Sequence, residues 1–386
     1  MPNSSTDAPV IVIAPDSFKG SLSADGVAVA IAEGIRRVRA DADIRIRPMA
    51  DGGEGTLDAM LSMGGERRVL TVEGAAGPKR DAAVGLLHDG SAIVETAEIV
   101  GITDPVGMGV PVDARSTRGM GEAIRALLDE GVRRFYVALG GSSTNDAGAG
   151  LLAGLGLQFF DAAGKPLEPT PQALVHVARV DVSGLDARLR EASFVGMSDV
   201  DNPLTGEHGA TAVFGPQKGV TPEQVAPIDA ALGRFADLLE AALGRRVRDE
   251  AGSGAAGGLG FALRMLGASF EPGAEVVART IGLDEALDRA DWLITGEGRS
   301  DVQTLHGKAP FIACRRAAAV GVPATLLSGA VDAAALPRLA EHFSGGCFSP
   351  APGPITLETA IRDAARLLAN EAEQLARLKY AARTSN

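Results

Sequence analysis

The sequence has few cysteines, few aromatic residues and no long apolar run. Its 386 residues include two cysteines, Cys314 and Cys347, and only 4% are aromatic. Two cysteines do not make the framework of a disulfide-rich secreted protein or a paired metal motif. No apolar stretch approaches the roughly 18 residues that a membrane span requires, and the polar residues 1–8 do not resemble a signal peptide. We therefore expect a cytoplasmic protein without a membrane partner, with a disordered tail at 1–8.

Positive charge is also scarce. The chain carries 37 Lys and Arg against 49 Asp and Glu, a formal net charge of -12, and only six of its basic residues are lysines. Nucleic-acid binding requires clustered positive charge, so no nucleic-acid partner is expected. Three lysines adjoin glycine turns, where an ammonium group can approach a phosphate or carboxylate closely. We predict anion contacts there, with ordinary solvated lysines as the alternative, for Lys19, Lys218 and Lys308.

The order of elements predicts an α/β protein. At about 150 residues per domain, the length suggests two or three domains. Strand and helix patterns alternate near the N-terminus and again from about residue 283, whereas hairpin patterns begin near residue 67. We predict a Rossmann-like doubly wound domain from both chain ends, residues 9–70 and 285–386, with a second α/β domain inserted at 71–284. Two sequential domains divided near residue 190 are the alternative.

Five polar loops follow predicted strands, which is where α/β proteins bind ligands. The first loop carries Asp16, Ser17 and Lys19 before a helix whose N-terminus can attract an anion. A capped helix start is the simpler explanation. The second loop places Asp51 and Glu54 among three glycines. Two neighbouring carboxylates suit a magnesium ion or a substrate hydroxyl better than a structural turn.

The third and fourth loops are rich in short polar side chains. A glycine-rich segment after the strand at 135–139 can present N–H and hydroxyl groups to a phosphate or polyol, or can simply cap a helix. Its candidate ligand-binding residues are Ser142, Ser143, Asn145 and Asp146. The fourth loop carries Asp199 and Asp201, which could accept a proton, hold a metal or form an Asx turn.

The fifth loop combines acids and cations after the strand at 292–295. Glu297, Arg299 and Lys308 lie within one short span, a density of charge that packing alone does not require. Generic motifs of other chemistries are missing from the sequence, including the Walker A pattern, H-E-x-x-H, G-x-S-x-G and C-x-x-C. The loops therefore predict an anion-binding site at strand ends, built without a standard nucleotide-binding fingerprint.

Taken together, the motifs resemble the bacterial glycerate kinase family with two α/β domains. The matching segments follow one another over nearly the whole chain: APDSFKGSLSA at 14–24, MADGGEGT at 49–56, LGGSSTNDAGAG at 139–150, DVDNPLTGEHGA at 199–210, FGPQKG at 214–219 and ITGEGRSDVQTLHGKAP at 294–310. The resemblance implies phosphorylation of D-glycerate by ATP with Mg²⁺. It favours 2-phosphoglycerate as the product, with 3-phosphoglycerate, or a magnesium-dependent phosphatase or kinase acting on another hydroxy acid, as alternatives.

Roles for single residues follow from this resemblance. We predict Asp199 as the base or the residue that orients the hydroxyl, and Lys19 and Lys308 as catalytic cations that contact phosphate or carboxylate. Arg299 is predicted as the partner of the glycerate carboxylate. Metal ligands are predicted at Asp201 and Glu297. The substrate- or phosphate-binding set is Asp16, Ser17, Asp51, Glu54, Ser142, Ser143, Asn145, Asp146, Lys218 and Arg299. The partners are small molecules, and the chain is expected to be a monomer or homodimer.

Overall fold

Short strands and helices alternate along the chain. The computed structural model describes residues 8–381. The strands are β1 (Val10–Ile13), β2 (Asp43–Ile46), β3 (Glu66–Glu73), β4 (Lys79–Leu86), β5 (Ala92–Glu95), β6 (Arg134–Ala138), β7 (Gln158–Phe160), β8 (Arg179–Asp181), β9 (Ser193–Met197), β10 (Ser269–Glu271), β11 (Trp292–Thr295), β12 (Arg299–Ser300), β13 (Ala324–Leu327), β14 (Ala330–Val331) and β15 (Cys347–Phe348).

The helices are mostly short. They are α1 (Ala24–Arg36), α2 (Thr56–Leu61), α3 (Thr96–Val100), α4 (Pro105–Met108), α5 (Arg118–Asp129), α6 (Ala149–Gly154), α7 (Pro171–Leu174), α8 (Ala210–Phe214), α9 (Pro222–Leu243), α10 (Ala255–Met265), α11 (Gly273–Thr280), α12 (Leu283–Leu287), α13 (Ala309–Ala319), α14 (Leu336–Ala340), α15 (Leu357–Arg362) and α16 (Ala364–Tyr380). The predicted α/β class is confirmed.

The chain divides into two compact units. Unit 1 contains the described residues up to Asp51, then Asp58–Met63, then those from Ala274 onward. Unit 2 contains Gly52–Leu57 and Gly64–Gly273. Unit 1 is thus assembled from both chain ends, and most of unit 2 is inserted between them.

Unit 1 is built on a five-stranded sheet in the order β15-β13-β11-β1-β2. Every neighbouring pair is parallel, and β1 pairs with β11 on one side and β2 on the other. The central strands are almost entirely buried because both faces of a parallel sheet are covered. The carboxyl ends of these strands therefore meet at one edge of the sheet, where ligand-binding loops are expected.

Helices α1 and α16 cross closely and pack in the same hydrophobic core as β1. Ile31 and Ile35 of α1 are buried with Leu368 and Leu375 of α16. Gly34 lies at the crossing, and a Cβ atom there would collide with the carbonyl oxygen of Ala369. The absence of a side chain at this position allows the two helix backbones to approach each other.

Unit 2 contains a six-stranded mixed sheet in the order β10-β9-β6-β5-β4-β3. The four strands from β10 to β5 are parallel, whereas β4 pairs antiparallel with both β5 and β3. The predicted hairpin after residue 67 is β3–β4. Phe135 and Phe194 stack at 5.1 Å between ring centroids on neighbouring strands of the core.

The unit boundaries differ from the predicted domain limits by several residues. Strand β3 begins at Glu66 and pairs with β4, so residues 66–70 belong with unit 2. Residues 274–284 belong with unit 1, where Arg316 of α13 contacts Glu275 and Asp284, each at 2.5 Å. Residues 1–7 of the predicted disordered tail lie outside the described residues.

Apolar residues recur at helical spacing from residue 357 to 378 and predict one long helix, but the structure has two helices there. Helix α15 ends at Arg362, and Asp363 leaves helical geometry with φ −100° and ψ 10°. Its carboxylate contacts the guanidinium groups of Arg362 and Arg366. Periodicity alone did not reveal this break because the apolar spacing continues across it.

Gly34→Ala should lower the thermal unfolding midpoint because the helices must separate or shift to accept the methyl group. Overpacking of this kind costs about 1–3 kcal/mol. Gly233→Ala is the matched control, since Gly233 also lies inside a helix but its nearest neighbour is a side-chain carbon of Thr205 at 3.9 Å. Scanning calorimetry of both variants tests the crossing, and equal midpoints would contradict it.

Candidate active site

A cavity of about 470 Å³ lies at the carboxyl edge of the unit 1 sheet. The loops that follow β1, β2, β11 and β13 contribute to it because parallel strands end at the same edge. Its lining residues are Asp16, Ser17, Phe18, Lys19, Ser21, Asp51, Glu297, Gly298, Arg299, Lys308, Gly329, Ala330, Leu357, Ala360, Ile361 and Ala364. Seven of the predicted site residues are thereby brought together: Asp16, Ser17, Lys19, Asp51, Glu297, Arg299 and Lys308.

Asp16 is the buried acid of this cavity. Its backbone N–H donates to the carbonyl of Gly296 at 2.8 Å, and the N–H of Ser17 donates to its carboxylate at 2.6 Å. Burial raises the pKa of Asp16 from 3.8 to about 7, and the charge of Asp51 adds to the increase. The Ser17 hydrogen bond and Lys19 oppose this shift. Asp16 can therefore exchange a proton near neutral pH.

Glu297 is oriented by hydroxyl groups behind it. Its Oε1 accepts hydrogen bonds from Thr304 Oγ1 at 2.6 Å and Ser300 Oγ at 3.1 Å. Its Oε2 faces Lys308 Nζ at 3.4 Å. Two hydroxyl donors on one oxygen fix the carboxylate while the other oxygen points toward the lysine, an arrangement typical of a group that contacts a cation.

The three cations that line the cavity differ in their exposure and in their ion-pair partners. Lys19 is exposed, and Lys308 is half-buried beside Glu297. Arg299 is exposed and contacts Asp332 only at its edge, with 3.3 Å between Nη2 and Oδ2. Exposed pairs of this kind are weak, so the Arg299 guanidinium can exchange its partner for a ligand carboxylate or phosphate.

A second polar cluster lies inside unit 2, around the loop that follows β6. Lys218 is fully buried, and its Nζ donates to Ser142 Oγ and to the carbonyl of Thr144, both at 2.8 Å. Burial lowers the pKa of Lys218 from 10.5 to about 7, while Asp146 raises it. The predicted phosphate-binding lysine therefore directs its ammonium group into the loop backbone.

The carboxylate of Asp146 stabilises the same loop through hydrogen bonds. Its carboxylate accepts the N–H and hydroxyl of Thr117 at 2.8 Å each, and the N–H groups of Gly148 and Gly150 at 3.1 Å each. Ser143, also fully buried, donates to the carbonyl of Val100 at 2.8 Å. Both side chains are thus engaged by protein partners, which is the structural role of capping a helix and a turn.

Asn145 is buried with one free acceptor. Its Nδ2 donates to Thr211 Oγ1 at 3.0 Å, whereas its Oδ1 and the hydroxyl oxygen of Thr144 have no hydrogen-bond partner. Arg115, which sequence reasoning did not single out, donates to the carbonyls of Ser143 and Lys218 at 2.9 Å. Two buried basic side chains, Lys218 and Arg115, thus donate to consecutive carbonyls of one loop.

Glu95 is a further acid that sequence reasoning missed. It ends the buried strand β5 and accepts the N–H groups of Gly55 at 3.1 Å and Leu57 at 2.8 Å, thereby capping α2 and the glycine-rich loop. Burial raises the pKa of Glu95 to about 7, against these two hydrogen bonds. A charged residue ending an otherwise apolar strand was the available signal.

The glycine run at 254–260 packs against the loop after β6. Side chains at Gly257 and Gly258 would collide with Thr144 and Ala147, and Ala147 N–H donates to the Gly257 carbonyl at 2.9 Å. Positive φ angles at both glycines make the approach possible. This run therefore serves close packing within unit 2.

The remaining predicted residues, Glu54, Asp199 and Asp201, are exposed in unit 2. Asp199 and Asp201 lie in the loop that follows β9. Among residues 8–381, no three or more His, Cys, Asp or Glu side chains gather into a group that could hold a metal ion.

A larger depression of about 930 Å³ lies beside the end of α9 in unit 2. Its Arg248 contacts Asp237 at 2.6 Å and Glu240 at 2.7 Å, so this guanidinium is neutralised within the protein. The predicted site residues lie elsewhere. The cavity of unit 1, with its mixture of buried acid and accessible cations, is the better candidate active site.

Comparison with known proteins decides the family. The model of the glycerate kinase family matches residues 11–380. The chain belongs to the glycerate kinase family. A glycerate kinase of Bacillus subtilis (strain 168) is 42% identical over 374 residues, covering 95% of this chain and 96% of the relative. The Escherichia coli (strain K12) relative, named glycerate 2-kinase, is 41% identical over 310 residues, or 78% of this chain and 80% of that protein.

A solved structure agrees with this family assignment. A protein of Salmonella typhimurium LT2, provisionally named glycerate kinase 2, superposes with a TM-score of 0.85 at 41% identity, covering 97% of this chain and 99% of that chain. The chain is accordingly an enzyme, a kinase of the glycerate kinase family. Among its described residues, no helix is long and apolar enough to cross a membrane.

The buried Lys218 should make this kinase more stable as the pH rises above 7. The unfolded chain keeps the lysine proton up to its ordinary pKa of 10.5, whereas the folded chain releases it near 7. Folding therefore releases a proton in this interval, and the unfolding free energy should rise by up to about 1.4 kcal/mol per pH unit. Lys218→Met should remove that contribution.

The measurement is urea unfolding of both proteins at about pH 7.5 and about pH 9.5. Lys165→Met is the control, because Lys165 lies exposed in a turn and its removal should leave the pH dependence unchanged. An identical pH dependence in the wild type and Lys218→Met would contradict the neutral, buried lysine.

Proposed function

We propose that this kinase transfers the γ-phosphoryl group of ATP to the 2-hydroxyl of D-glycerate, with Mg²⁺, giving 2-phosphoglycerate and ADP. The observation that carries the proposal is the unit 1 cavity, where Lys19, Arg299 and Lys308 line the same space as the buried Asp16. Phosphoryl transfer requires positioned cations around the phosphate and a group that orients the attacking hydroxyl. The name of the Escherichia coli relative, glycerate 2-kinase, supports the 2-position.

The three cations of the cavity have two proposed roles: one binds the glycerate carboxylate and two bind the transferred phosphoryl group. The planar guanidinium of Arg299 can hold both oxygens of the glycerate carboxylate. Lys19 and Lys308 are compact charges suited to the transferred phosphoryl group, on which negative charge must be neutralised. These local charges also attract anionic substrates to a protein whose formal net charge is -12.

Magnesium fits one carboxylate of this cavity. Glu297 has its Oε1 fixed by the hydroxyl groups of Thr304 and Ser300, and its Oε2 faces Lys308. A carboxylate held on one oxygen in this way is oriented to bind a metal with the other. We propose that Glu297 holds the ion together with the nucleotide phosphates. When bound, Mg²⁺ would neutralise phosphate charge. Asp201, the other predicted ligand, is exposed in unit 2.

The proton of the attacking hydroxyl needs an acceptor. We propose Asp16 for this role because it is buried, lines the cavity and has a pKa of about 7. Its carboxylate takes the proton as the hydroxyl oxygen bonds to the γ-phosphorus and the bond to the ADP oxygen breaks. Asp199, proposed from the sequence, is the rival acceptor.

Activity should fall as the pH drops below about 7, because the proposed base must be ionised and its raised pKa of about 7 sets the midpoint. Asp16→Asn should lower kcat by about 10²–10⁴-fold and remove this acidic limb. The measurement is kcat/KM against pH, with circular dichroism to verify folding.

Asp199→Asn provides the comparison. If Asp16 is the base, Asp199→Asn keeps the acidic limb near pH 7. If Asp199→Asn lowers turnover by orders of magnitude in a folded protein while Asp16→Asn stays active, the role belongs to Asp199.

The product is identified by phosphorus NMR of the enzyme with D-glycerate, ATP and Mg²⁺. We expect the resonance of 2-phosphoglycerate to grow as ATP is consumed, with no product when glycerate or ATP is omitted. A 3-phosphoglycerate signal would assign the 3-hydroxyl instead. No phosphoglycerate from folded enzyme would reject D-glycerate as the acceptor.

A further inference from the structure

One wall of the unit 1 cavity is apolar. Leu357, Ala360 and Ile361 line it from one face of α15, at spacings of three and four residues, and Ala364 at the start of α16 lies beside them. Ala364 is buried, but Leu357 is 76% exposed and Ile361 39% exposed. The face is apolar like that of a core-facing helix, yet residues 8–381 leave its outer half exposed.

This wall is attached to the loop that carries Lys19. Ser21 Oγ donates to the carbonyl of Ile361 at 2.9 Å. The start of α15 is capped, since Thr356 Oγ1 accepts the N–H of Thr359 at 3.2 Å. The apolar wall and the cations on the polar side of the cavity are therefore parts of one folded structure.

Glycerate cannot account for the apolar wall. It is a small acid whose hydroxyl and carboxylate groups require polar partners. The cavity volume of about 470 Å³ lies within the range of about 300–1,000 Å³ typical of sites for larger ligands. A nucleotide matches both walls, because its flat base has apolar faces and its phosphates carry the charge that Lys19 and Lys308 complement.

We infer that Leu357 and Ile361 form the surface on which the nucleoside of ATP packs, with its phosphates directed toward Lys19 and Lys308. The inference rests on the proposed use of ATP. The inference assigns the nucleoside as the ligand of the exposed apolar face of α15. It also predicts that the affinity for the nucleoside and the affinity for the phosphates can be altered separately.

The test compares ATP with inorganic tripolyphosphate, which has the phosphate chain but no nucleoside. Binding of each to the full-length protein is measured by isothermal titration calorimetry in the presence of Mg²⁺. The test variant is Leu357→Asn with Ile361→Thr, which removes apolar surface without adding charge. Leu378→Asn is the matched control, since Leu378 is 75% exposed on α16 and does not line the cavity.

We expect the test variant to bind ATP about tenfold more weakly, a change of about 1.4 kcal/mol, while its affinity for tripolyphosphate and its KM for glycerate stay within about twofold. Leu378→Asn should bind both probes like the wild type. Unchanged ATP affinity in the test variant, or equal losses for ATP and tripolyphosphate, would overturn the inference. A wild-type protein that binds no ATP would overturn the proposed function as well, so the two failures are distinguishable.

Discussion

The parallel pairing of β1 with β11 is the contact on which the candidate site depends. Ile11, Val12 and Ile13 lie in register with residues 292–294, and beyond the strands the Asp16 N–H still donates to the Gly296 carbonyl at 2.8 Å. Because the pairing continues past the strand ends, the loops carrying Asp16 and Glu297 leave the sheet side by side. Loss of this register would separate the buried acid from the cations that follow β11.

Burial of charge serves different purposes in the two units. In unit 1, desolvation brings the pKa of Asp16 to about 7 on a cavity wall, where a ligand can reach the carboxyl group. In unit 2, the same effect acts on Lys218, but its ammonium group is enclosed and bonded to the loop after β6. Desolvation thus allows Asp16 to exchange a proton near neutral pH, whereas the buried Lys218 holds the backbone of a loop in place.

The sequence predicted the α/β class and the loops at strand ends, because alternating buried strands and helices leave clear patterns and parallel strands collect their loops at one edge. It did not predict the direction in which Lys218 points, since a glycine neighbour permits both solvent and interior orientations. The role of Arg115 in this loop carries no local signal, because the Ser143 and Lys218 carbonyls that it contacts there are distant along the chain. The break at Asp363 was hidden by continuous apolar spacing, and the open apolar face around Leu357 becomes visible only beside the cavity.

The discontinuous layout of unit 1 has a consequence for synthesis on the ribosome. Val10 and its hydrogen-bonding partner Asp291 are 281 residues apart in the chain. At about 5–20 residues per second, β1 and β2 must wait on the order of tens of seconds before β11 is translated. The sheet of unit 2 has all its strands by Glu271 and can form during that interval. The nascent chain therefore carries the unfinished apolar strands β1 and β2 until β11 is translated, and the cavity of unit 1 can form only after that.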